Sequence, residues 1–154
     1  MLYRIEVFEA KNGFIGSVPD LGMETSAMPS EKAAVEAIGK CLSGFVELEY
    51  RRKRKPVPLP SPIGKDDKVA YVPLRLQLRI ALWNSMLGTG TTQTELAAKL
   101  GISKAAVNQY VNGSANIGPE AYERALTALG LYPDVRLHGQ ADHAIQLEGG
   151  KNGD

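Results

Sequence analysis

Prolines at 56, 58, 60 and 62, directly behind the basic run Arg51–Lys55, constrain this chain more than any other feature. Each proline removes a backbone donor and pushes the residue before it towards extended geometry, so no helix crosses such spacing. Segment 51–68 (RRKRKPVPLPSPIGKDDK) therefore reads as a boundary. It predicts an α+β domain over residues 1–64 that ends in the proline-rich linker, and a helical domain over 65–138. A glycine-containing tail without aromatics, 139–154, is expected to be loose. A length of 154 residues suits one ordinary domain or two small ones, and 44% apolar residues can supply a core. No run approaches about 18 apolar residues, so no membrane-spanning helix is expected. Glu6 and Glu9 interrupt the start where a secretory signal would keep an apolar run, and a cytoplasmic protein is expected. Cys41 is the single cysteine, which excludes an internal disulfide and a cysteine-rich zinc site. A net charge of +1 names no partner, so any nucleic-acid reading must come from local pattern.

The first segment opens with alternation. Tyr3, Ile5 and Val7 point one way and Arg4 and Glu6 the other, as in a half-buried strand. Lys11-Asn12-Gly13 is a hairpin turn signal, and Phe14, Gly16 and Val18 continue as a second strand stopped by Pro19-Asp20. A third short strand is expected around Met23 to Ala27. Ser30 is a candidate N-cap for a helix whose apolar face carries Ala34, Ile38, Cys41, Phe45 and Leu48. Cys41 is read as a small core residue. Gly39 and Gly44 either weaken that helix or mark close packing on the sheet. Its basic end, Arg51 to Lys55, suits the negative pole of the helix dipole. That run is a solvated helix end and linker, or a phosphate contact.

Behind the prolines the pattern becomes wholly helical. Leu76, Ile80, Trp83 and Leu87 form one stripe, and Leu74, Leu78 and Leu82 another. Such a helix is buried on two sides, the second against another chain or the first domain. Thr92 and Glu95 form a T-x-x-E capping box. Leu96, Ala97 and Leu100 face inward, and Gly101 ends the helix where a left-handed residue is needed. Ile102 fills the corner, Ser103 caps the next helix, Val107 and Val111 anchor it, and Gly113 closes it. Two short helices about a glycine turn make a helix-turn-helix. Gly118-Pro119, then Tyr122, Ala125, Leu126, Leu129 and Gly130, is a packing helix. Residues 74–130 resemble the Cro/repressor-like helix-turn-helix family, with Tyr110 departing from its more usual aliphatic residue.

A recognition helix offers its N-terminal, outward side chains to the major groove. Here these are Lys104, Ala105, Asn108 and Gln109. Lysine donates to guanine, glutamine or asparagine pairs with adenine, and alanine touches a thymine methyl. Gln93 and Ser103 stand at helix N-termini, where phosphates are held. Asn112 and Asn116 are weaker phosphate candidates. Residues 69–130 carry five basic and three acidic groups, so two copies on one duplex are expected to be needed for useful affinity. Val135 and Leu137 alternate within 131–138, which suggests a C-terminal strand paired across a two-fold axis.

The order of these parts is similar to that of the HicB antitoxin family. It runs from the hairpin start through V-P-D-L (Val18 to Leu21), the helix entered at Ser30 and L-P-S-P (Leu59 to Pro62) to V-P-L and the helix-turn-helix. The resemblance covers about residues 3–138. It implies a partial ribonuclease-H-like N-terminal domain that binds a small HicA-type toxin, an RNA-cleaving protein, and masks its catalytic histidine. It also implies a C-terminal domain that dimerises and represses the toxin–antitoxin operon, with the toxin complex binding the operator differently. Pro19, Asp20 and Leu21 are expected near the toxin, although Gly22-Met23-Glu24-Thr25-Ser26 departs from the family's glycine-rich segment.

An enzyme is not expected. Glu6, Asp20, Glu24 and Glu36 show no paired-carboxylate signature of a two-metal nuclease. His138 and His143 lie at or in the loose tail, which offers no second shell for a metal, so no metal and no cofactor are expected. Gly88-Thr89-Gly90-Thr91-Thr92 lacks the lysine of a phosphate loop. The alternative function is a ligand-responsive helix-turn-helix regulator whose N-terminal domain senses a small molecule.

Overall fold

The computed structural model describes residues 1–112 and 116–137. The fold is α+β. A four-stranded antiparallel sheet is built from β1 (Leu2–Ala10), β2 (Gly13–Val18), β3 (Met23–Glu24) and β4 (Lys68–Tyr71), in the order β3-β2-β1-β4. Helix α1 (Glu31–Val46) runs into a π-helical turn at Glu47–Arg51. The helical region holds α2 (Leu74–Thr89), α3 (Gln93–Leu100), α4 (Lys104–Asn112) and α5 (Pro119–Ala128). No helix among the described residues is long and apolar enough to cross a membrane.

The chain divides into two compact units. One comprises Leu2–Lys40 and Leu59–Tyr71; the other comprises Met1, Cys41–Pro58 and Val72–Asp134. In the sheet unit, Glu6 pairs with Ser17 and Ala10 with Gly13 across the expected hairpin. Gly13 has φ +134°, and a Cβ there would lie 2.3 Å from the Met28 carbonyl oxygen, so only glycine closes this turn without displacing backbone. The fourth strand lies where the linker was expected to give way to helix. Leu2 pairs with Tyr71 and Ile5 with Lys68. Its four residues, KVAY, bury Val69 and Ala70, too short a run for periodicity to separate from helix. Leu2, Tyr3, Ile5, Val18, Leu21, Met23, Ala34 and Ile38 are buried with them.

Ser30 caps α1 as expected, its Oγ accepting from the Ala33 N–H at 3.1 Å. The buried face differs from the expected one. It runs Ala34, Ile38, Leu42, Val46, while Cys41 is exposed and Leu48 is 52% exposed. Phe45 of the expected stripe is half-buried, while Leu42 and Val46 take the fully buried side. Leu48, two residues beyond the buried Val46, lies on the opposite side of the helix. A Cβ on Gly39 or Gly44 would meet nothing within 4 Å, so close packing is not the reason for either.

In the helical unit, Leu82, Met86, Leu96, Ala97, Val107, Val111, Tyr122, Ala125 and Leu126 form one cluster, with Leu78 packed against it. Helix α2 is indeed buried on two sides. Leu76, Ile80 and Trp83 line a cleft with Val46 and Val57, so the second side is met by this chain's own residues 41–58. Leu74 is 44% exposed and stands outside both stripes. Asn84 brackets Val57, accepting its N–H and donating to its carbonyl, each at 2.8 Å. The buried Tyr122 hydroxyl donates to the Tyr110 carbonyl at 3.0 Å, and the two rings lie 6.0 Å apart. Tyr110, where the resembled family more usually has an aliphatic residue, packs its ring against the helical core. Residues 131–137 hold no regular secondary structure; Gly113, His138, His143 and the tail lie outside the described residues.

Candidate nucleic-acid interface

Helix α3 is positioned by its first turn. The Thr92 hydroxyl accepts from the Glu95 N–H at 3.2 Å, and Glu95 Oε2 accepts from the Thr92 N–H at 2.7 Å, a complete capping box. The Thr92 backbone bond, then its side-chain bond, hold the Glu95 carboxyl below its ordinary pKa. Its negative charge is therefore secure at the positive pole of α3. Gly101, at φ +65°, stops the helix, and the Ile102 N–H returns to the Ala97 carbonyl at 3.1 Å. Ser103 then caps α4 through the Ala106 N–H at 3.1 Å. Val107 and Val111 are buried, which fixes the rotation of α4 about its axis.

That rotation leaves a polar face outward. Ser103, Lys104, Ala105 and Gln109 are exposed, whereas Gln93, Asn108 and Asn112 are half-buried. Positions 104, 105, 108, 109 and 112 share one side of the helix. The face offers an ammonium, a methyl and three amides over a little more than two turns. Gln93 opens α3, where unpaired first-turn N–H groups attract anions. Asn116 is exposed.

Asn112 has further partners. Its Oδ1 accepts from the Arg51 guanidinium, and its Nδ2 donates to Asn108 Oδ1. Arg51 is also paired with Glu47, one turn earlier. Sequence reasoning left Arg51 in a basic run read as a solvated helix end and linker or a phosphate contact; the signal that could have placed it is the Glu47–Arg51 i, i+4 spacing.

The three residues expected to face a toxin are set in a 3-10 turn, Pro19–Leu21. Pro19 is exposed, while Leu21 is 2% exposed and part of the core. Asp20 accepts from the Ser61 hydroxyl at 2.6 Å and the Ser61 N–H at 2.8 Å, and these bonds hold its carboxyl below its ordinary pKa. Glu6 pairs with Arg4 at 3.2 Å and Glu36 with Lys32 at 4.0 Å; Glu24 is exposed. Among the described residues no three His, Cys, Asp or Glu side chains are grouped to hold a metal ion.

Residues 89–135 match the helix-turn-helix family model. The chain is 28% identical over 99 residues to Antitoxin HicB 1 of Photorhabdus laumondii, covering 64% of this chain and 62% of that relative's length. It is 28% identical over 120 residues to Antitoxin HicB of Escherichia coli K12, covering 78% of this chain and 86% of the relative. With Antitoxin HicB of Pseudomonas fluorescens it shares 27% identity over 135 residues, covering 83% and 88% respectively. Along most of its length the chain is similar to HicB antitoxins, and its C-terminal half holds a helix-turn-helix where the family model matches one.

Proposed function

We propose that the protein neutralises a HicA-type RNA-cleaving toxin through its sheet-bearing N-terminal part (residues 1–64). We propose further that it represses its own operon by placing α4 in the major groove of operator DNA, and that it does so as a homodimer or higher homo-oligomer. The observation that carries the DNA half is the exposed polar face of α4, with Lys104, Ala105 and Gln109 outward on a helix whose cap and buried valines fix its aim. Lys104, Gln109 and Asn108 then read base edges, and Gln93 and Ser103 hold phosphates. Asn112 acts chiefly by tying Asn108 to Arg51. On the toxin side, Pro19 supplies the exposed part of the P-D-L turn, and Asp20 and Leu21 hold that turn in place. Exposed Leu131, Tyr132, Val135 and Leu137 favour self-association of the C-terminal segment.

Co-expression with the product of the adjacent gene tests the antitoxin half. Relief of growth arrest is the expected result; persistent arrest by a small basic, histidine-bearing neighbour would reject it. A ligand-responsive regulator remains the second reading, favoured by a cleft of about 390 Å³ lined by Val46, Arg51, Val57, Arg75, Arg79 and Ile80, which lies in the helical unit and not in the sheet unit where sensing was expected. That volume is at the low end for small-molecule sites, roughly 300–1,000 Å³. A promoter with no toxin gene beside it would favour this reading.

A further inference from the structure

The basic run Arg51–Lys55 has no part in the helix-turn-helix, yet it is packed within the helical unit. Trp83 Nε1 donates to the Lys55 carbonyl at 2.9 Å, and Arg51 is held by Glu47 and Asn112. These contacts set the end of the π turn beside the starts of α3 and α4. A cleft of about 760 Å³ lies there, lined by Arg52, Arg54, Gln93, Thr94, Lys104 and Asn112 among others. Positive charge is concentrated around it. Burial first, then the charges of Arg52 and Arg79, hold the Arg51 guanidinium below its ordinary pKa. Arg52 is 65% exposed, and its ion pair is a 3.7 Å contact to a Glu47 already engaged by Arg51. Arg54 has φ +55°, the left-handed conformation that glycine adopts without strain. It closes the turn there, its N–H donating to the Arg51 carbonyl at 3.0 Å while the Lys55 N–H reaches the Tyr50 carbonyl at 2.9 Å. A guanidinium thus occupies a position where backbone geometry alone would select glycine.

We infer that this cleft is a phosphate-binding surface for duplex DNA. In it Arg52 and Arg54 grip the strand backbone that borders the groove entered by α4. The inference rests on the DNA-binding reading and extends it. In helix-turn-helix docking the first helix of the motif crosses the backbone, and here the start of that helix, α3, forms one wall of the cleft. Arginine's planar fork suits phosphate oxygens, and a backbone contact adds affinity without sequence preference.

The test uses the full chain and a labelled 30-bp duplex of random sequence, with binding followed by anisotropy over a range of salt. R52Q/R54Q is expected to make log K against log salt shallower by about 2, at about 0.9 per lost phosphate. R54G is expected to make it shallower by about 1 while unfolding at a temperature no lower than wild type. Variant slopes equal to wild type overturn the inference. A lower melting temperature for R54G together with its lost slope also overturns it, because Arg54 would then be structural. If wild type binds duplex and only these variants behave as wild type, this inference alone fails. If wild type binds no duplex, the DNA-binding reading fails with it.

Discussion

Single residues carry the specificity argument. Gln109 is exposed on α4, without a role in the core, so Gln109→Ala is expected to fold normally and relax choice at one base pair by about 1–3 kcal/mol. Competition with operator variants measures this; equal weakening on every sequence would make Gln109 a phosphate contact. Asp20 gives a pH prediction. Its carboxyl titrates lower in the folded protein than in the unfolded chain because Ser61 donates to it. The folded state therefore binds the proton less tightly. The stabilisation is present above the ordinary carboxylate pKa and is lost as pH falls through the lowered one. Being largely solvated, the contact is expected to have a small effect. Asp20→Asn should flatten the acid side of a urea-midpoint-against-pH curve, below about pH 4. Parallel curves for the two proteins would contradict it. The residues of the helix-turn-helix were legible in the sequence because each does one local job: Thr92 and Ser103 cap, Gly101 turns. Arg51 was not, because its role depends on Asn112, sixty-one positions away.

Elements were legible where their signals are local. The hairpin about Gly13, the start of α1 at Ser30 and the bounds of α3 all follow from turn and cap chemistry. Strand β4 was hidden because its four residues gain stability only by pairing with β1, a long-range event that no window of sequence contains. The α1 stripe was misread at Cys41 because two overlapping stripes, 34-38-41-45 and 34-38-42-46, fit helical spacing, and packing selected the second. The exposed, unobstructed Gly39 then has an energetic consequence. Gly39→Ala is expected to stabilise the protein by about 1 kcal/mol, read from denaturant midpoints. Ser30→Ala, which removes the N-cap, is expected to cost about 1 kcal/mol. No gain from Gly39→Ala would mean that the position serves something other than the helix.

At the scale of the whole molecule, composition marks where the chain turns proline-rich but not which unit each flank joins. Residues 41–58 cluster with the helices, and 59–71 with the sheet. The bonds of Asn84 to Val57 and of Trp83 to Lys55 explain the first assignment; the pairing of β4 explains the second. Residues 69–130 alone carry five basic groups against three acidic, so their hold on phosphate is expected to need the Arg51–Lys55 run of the same unit and a second copy on the duplex. Truncation after Gly130 removes the exposed Leu131, Tyr132, Val135 and Leu137 and is expected to yield a monomer by light scattering. A dimer after truncation would assign self-association to another surface. The most direct test of the central claim is a footprint of the purified protein on the DNA upstream of its own gene, at low salt. The account predicts protection of an inverted repeat with half-site centres about 10 bp, or a multiple, apart, lost in Lys104→Ala/Gln109→Ala. Protection no different from that on scrambled DNA would contradict it.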